Sequence, residues 1–146
     1  MSVETSRTIA RQFREDLFNT GKLEIADKIC DSQTLIHTHD PVTPDFGRGA
    51  QALRQIVSMY RTAFPDSQCT IDETVIQGDV IAARWTARGT NTGSLGNNAP
   101  TGRKVMVTGV DLLKISNGKI VECHVIWDAA GMLQQLGLAQ TLKASA

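Results

Sequence analysis

The sequence predicts an α+β fold: one curved, mostly antiparallel sheet with helices packed against one side. Three observations carry this. Apolar residues recur every three or four positions through 4–29 and 50–64. They alternate with polar residues over much of 69–127, and Gly78-Asp79 and Asn117-Gly118 place tight turns inside that region.

In chain order, Ile9, Phe13 and Leu17 at i, i+4 and i+8 define one stripe of a helix over 4–19. Asn19-Thr20-Gly21 stops it, because glycine accepts the positive φ of a helix end. A short second helix passes through Leu23, Ile25, Ala26 and Ile29, and QTLIHTH, residues 33–39, reads as a strand running into the loop DPVTPDFGRG. Leu53, Ile56, Val57, Tyr60 and Phe64 form the stripe of a third helix, which Pro65 ends. Strands 69–77 and 79–90 flank Gly78-Asp79. In the second of them Ile81, Ala83, Trp85 and Ala87 alternate against Ala82, Arg84, Thr86 and Arg88, as a sheet covered on one face requires. The loop TNTGSLGNNAPTG leads to strand 103–115, Asn117-Gly118 turns it into strand 119–127, and 129–138 closes the chain as a helix carrying Met132, Leu133 and Leu136. The order is α-α-β-α-β-β-β-β-α. With no repeat, low-complexity tract or linker, residues 1–146 read as a single domain.

Composition narrows the function. The chain is 41% hydrophobic and 21% charged, which suits a soluble globule. Fifteen basic residues balance fifteen acidic ones, so nothing favours nucleic acid or an anionic membrane surface. No apolar run approaches the roughly 20 residues of a membrane helix, and MSVETSRTIARQ contains no apolar signal core. Cys30, Cys69 and Cys123 are odd in number and far apart, which argues for reduced packing residues in a cytoplasm rather than disulfides or a zinc knuckle.

Asp128 is the first chemical candidate. It stands where the last strand passes into the last helix, where an aspartate is a good N-cap. Strict alternation also groups it with Ile120, Glu122, His124 and Ile126, so a carboxylate beside an imidazole becomes a proton-transfer pair if that stripe faces inward. His37-x-His39 with His124 raises a metal site, yet two ligands two residues apart are common by chance and the expectation is no metal. His39, before Asp40-Pro41, lines a cavity or lies exposed. Arg84 lies on a polar stripe, either solvated or holding a substrate oxygen. Asp111 shares its stripe with Val107, Leu113 and Ile115, and a carboxylate there needs a partner, commonly a structural ion pair. Glycines 89, 93, 96 and 102 fit neither dinucleotide nor phosphate-loop spacing, and no G-x-S-x-G elbow is present.

The runs GDVIAARWTARGTNTG, PTGRKVMVTGVDLLKISNGKIVE and WDAAGMLQQLG, with HDP, GAQALRQ and FPD upstream, resemble the SnoaL-like polyketide cyclases of the nuclear transport factor 2-like superfamily. The resemblance spans about residues 5 to 138. It implies a cone-shaped barrel around a deep pocket, homodimers or homotetramers, and a cofactor-free, metal-free intramolecular aldol condensation on a hydrophobic carbonyl compound. It implies Asp128 as general base and then acid, and it matches His39 to a pocket-lining histidine and Arg84 to a strand arginine; with these, His39 is expected to be catalytic and Arg84, Asp111, His124 and Trp127 to bind substrate. Two departures stand out: Asn91 replaces a histidine common in the family's GTHTG, and His124 replaces a tryptophan. A binding protein of the same fold, or an epoxide hydrolase-like or hydroxylase-like member, is the alternative. For the hydrolase, Arg84-x-Thr86 lacks the aspartate such enzymes place two residues on.

Overall fold

The computed structural model describes residues 2–139. The first helix runs without a break from α1 (Val3–Arg11) through a π-helical turn (Gln12–Asp16) into α2 (Leu17–Thr20), where Gly21 at φ 70° ends it. There follow α3 (Glu24–Ile29), β1 (Cys30–Thr38), α4 (Gly49–Ala63), β2 (Gln68–Gln77), β3 (Val80–Thr90), β4 (Lys104–Ser116), β5 (Lys119–Trp127) and α5 (Ala129–Leu136). The element order is that read from the sequence, with boundaries moved by at most a few residues.

The five strands lie in the order β1-β5-β4-β3-β2. β1 and β5 run parallel and every other pair is antiparallel. The helices cover one face. Ile9, Phe13 and Leu17 from the first helix, and Leu53 and Val57 from α4, pack on Ile81, Ala83, Leu113 and Cys123. A second cluster joins Met132 and Leu136 of α5 to Trp85, Val105 and Val107. Tyr60, Ile71, Ala87 and Val125 touch both clusters, and the cavity opens where the two meet.

One irregularity decides which residues face that cavity. Along β4, Ile115 pairs with Ile120 but Lys114 pairs with Glu122, so Val121 is an extra residue on β5. A bulge of this kind reverses the alternation beyond it. Ile120 is buried, and so, three residues on, is Cys123, with Val125 and Trp127 following on the cavity side. Strict alternation from Ile120 is therefore corrected: Glu122, His124 and Ile126 face outward.

Candidate active site

The cavity opens to solvent at its mouth. Its wall is apolar over most of its area, with Phe18, Ile36, Leu53, Phe64, Val107 and Met132 among the contributors. Two tryptophans share one row across the sheet: Trp85 on β3 pairs with Gly109 on β4, which pairs with Trp127 on β5. A side chain at Gly109 would collide with both, so glycine is what lets the two indoles close on the same wall. Trp127 lines the cavity. Asp40 holds its ring, accepting from Trp127 Nε1 at 3.0 Å while its other oxygen accepts from the amides of Val42 and Thr43 at 2.8 and 2.7 Å.

The charged group in the interior of that wall is Arg14. Its Nε and Nη2 donate to Asp111 Oδ2 and Oδ1 at 2.8 and 2.6 Å, and Trp85 Nε1 donates to the same Oδ1 at 3.0 Å. Asp111 is fully buried behind the wall, the structural ion pair expected for a lone acid on an apolar stripe. The guanidinium lies over the Trp85 ring at 4.0 Å and the Phe18 ring at 4.5 Å, a cation–π sandwich. Burial works against its charge, but the attraction and hydrogen bonds of Asp111 outweigh that cost and hold its pKa above the ordinary guanidinium value. Nη1 makes no hydrogen bond to a protein oxygen among the described residues; the Cys69 thiol, which also lines the cavity, lies against the same guanidinium. Nearby, Tyr60 and Thr43 share a hydroxyl hydrogen bond of 2.6 Å, and burial pushes the phenol's pKa upward, so Tyr60 stays protonated. At the rim Arg88 is exposed while still lining the cavity.

Of the six expected site residues five do not line the cavity: Asp111, expected to bind substrate, is buried behind the wall in its ion pair with Arg14, and the other four lie elsewhere. Asp128 is exposed and caps α5, its Oδ1 accepting from Gly131 N at 2.9 Å with the carboxylate pressed against that glycine. Arg84 is 52% exposed and faces Glu73 and Asp72 at 3.4 and 3.6 Å. His39 and His124 share a 2.8 Å hydrogen bond on the outer face, the first because β1 turns 37 and 39 outward, the second because of the bulge. Asn91, at the position of the family's histidine, is buried and bonds Ala63 O, Gly93 O and Thr101, tying down the 91–101 loop.

Arg14 was missed, although two signals pointed to it. Ala10, Arg14 and Phe18 stand at i, i+4 and i+8, a cation in the middle of an apolar row. An inward Asp111 also demands an inward cation. What the sequence does not display is the π turn, which re-aims that stretch of helix; such turns recur at functional sites.

The architecture is thus a curved sheet roofed by helices over an apolar cavity with one braced cation. The profile of the family described as SnoaL-like polyketide cyclase matches residues 8–136, and the chain belongs to that family. It is 31% identical over 125 residues to nogalonic acid methyl ester cyclase of Streptomyces nogalater, covering 82% of this chain and 89% of that one. Among solved structures, IdmH of Streptomyces antibioticus superposes with a TM-score of 0.76 at 31% identity, covering 92% of this chain and 99% of the other. TsrD of Streptomyces laurentii does so at 0.82 and 22% identity over 95% and 99%, a likeness of fold. Among the described residues no helix is long and apolar enough to cross a membrane.

Proposed function

We propose that the chain takes a hydrophobic, carbonyl-rich, polyketide-like molecule into this cavity and closes a ring on it by cofactor-independent, intramolecular aldol-type condensation. The observation that carries the reading is Arg14, a cation set into an apolar wall with one nitrogen free of protein oxygen. Deprotonating carbon between two carbonyls puts negative charge on oxygen. Arg14 meets that charge in a medium where it interacts strongly, and it needs no reorganisation because Asp111 already holds it. Tyr60, a neutral phenol, supplies a second donor. Asp111 is a positioning residue: it touches Arg14 and Trp85, and the wall separates it from the cavity. Water at the open mouth takes the proton, the enolate carbon attacks the second carbonyl carbon and opens its C=O π bond, the resulting alkoxide takes a proton back from water, and loss of that hydroxyl as water completes the condensation.

The same wall favours a second reading. Among the described residues it contains no carboxylate and no imidazole, so binding without turnover is the alternative. The likeness to nogalonic acid methyl ester cyclase supports the first. Both tryptophans of the chain line the cavity, so their fluorescence reports occupancy. A linear poly-β-keto ester added to the protein is expected to quench it saturably and to appear as ring-closed product by mass spectrometry. Quenching without product selects the binding protein. Neither quenching nor product removes both.

A further inference from the structure

All three histidines of the chain, two from β1 and one from β5, meet on the outer face of the sheet. His37 and His124 are direct partners across the parallel β1–β5 pair, their rings stacked at 4.4 Å and 16°. Glu122, two residues before His124 and therefore on the same face, has Oε2 2.9 Å from His37 Nε2. His39 Nε2 lies 2.8 Å from His124 Nδ1. One ligand atom each from His37, Glu122 and His124 lies within 4.8 Å of the others. The bulge at Val121 is what makes this possible, since it turns Glu122 and His124 to the side that His37 and His39 occupy.

We propose that His37, Glu122 and His124 form a binding site for a divalent transition metal of the zinc class, with His39 orienting the His124 ring. Two imidazoles and a carboxylate are borderline ligands, suited to zinc, copper or nickel and poorly suited to magnesium or calcium. A tetrahedral site with bonds of about 2.0–2.1 Å sets its ligand atoms about 3.3 Å apart. The three donors lie within 4.8 Å of one another, so closing to that spacing asks for a movement of at most about 1.5 Å between any two. The metal takes the place of the proton now shared by His37 and Glu122, and a fourth position stays open to water. His39 supplies the neighbour that a ligating histidine ordinarily has, fixing tautomer and ring angle. Both His37 and Glu122 are partly exposed, at 39% and 35%, so the ion has a path in. Because β1 is an edge strand, a bound metal ties that edge to β5. The site lies across the sheet from Arg14 and is independent of the proposed cyclisation.

The full chain, freed of metal by dialysis against chelator, is titrated calorimetrically with zinc chloride and separately with magnesium chloride, and its melting is followed in parallel. One zinc per chain, a raised Tm with zinc and no response to magnesium are expected. His37→Gln and His124→Gln, both at partly exposed positions, should melt like the wild type in chelator yet lose at least about tenfold in zinc affinity. His39→Gln should lose about tenfold by releasing its neighbour. If zinc does not bind saturably, or still binds one-to-one when His37→Gln and His124→Gln are combined, the proposal is overturned.

Discussion

At the scale of single residues, Asp128 is the helix cap that local rules favour, and Arg14 is a buried cation at the cavity. Asp128 stands beside a tryptophan at the end of an apolar strand, and only the geometry shows its carboxylate wrapped over the amide of Gly131. Losing a cap of this kind costs about 1 kcal/mol. Asp128→Ala should therefore lower stability by about that amount in urea unfolding while leaving ligand quenching of Trp85 and Trp127 unchanged. Arg14 looks like one more helix-surface charge until Asp111 is set opposite it. Removing one partner of such a buried pair costs about 3–5 kcal/mol, because the other charge is left unpaired. Asp111→Ala should thus come close to unfolding the protein, whereas Arg14→Gln combined with Asp111→Asn, which buries no lone charge, should cost less by thermal melting.

The elements explain why the chain order was legible and the site was not. Helical stripes and turn pairs are local signals, so each helix and strand was readable, with Asn117-Gly118 fixing the β4–β5 hairpin through a positive φ at both residues. Facing is a different matter. On β5, Ile120 is inward, and alternation from it points His124 and Asp128 inward as well; one extra residue at Val121 inverts the answer. A bulge leaves no mark in a single sequence, since Val121 is as good a strand residue as its neighbours. The π turn hid Arg14 in the same way. The Trp85–Gly109–Trp127 row gives a test at this scale. Gly109→Ala forces a methyl group between two indoles, so it should destabilise the fold by about 1–3 kcal/mol and weaken ligand binding, measured by melting and by fluorescence titration.

For the whole molecule, burial governs the response to pH. Burial pushes the Cys30 thiol from an ordinary 9.0 up to about 11, and raises Cys69 and Cys123 as well. The folded chain then holds protons that the unfolded chain has released. Stability contributed by these thiols is intact below about pH 9 and falls as pH rises toward about 11, the window set by Cys30. Urea midpoints should hold between pH 7 and about pH 9 and decline from there toward pH 11. The native protein should also resist thiol alkylation at pH 8, with all three cysteines reacting once it is unfolded. The central claim concerns the face on which chemistry occurs, and one comparison of rates tests it: ring closure of a linear poly-β-keto ester by wild type, by Asp128→Asn and by the combined Arg14→Gln and Asp111→Asn variant. An Arg14-centred cavity predicts an unchanged rate for Asp128→Asn and a loss of about 10²–10³-fold for the folded double variant. A large loss in Asp128→Asn with the double variant unaffected would contradict it.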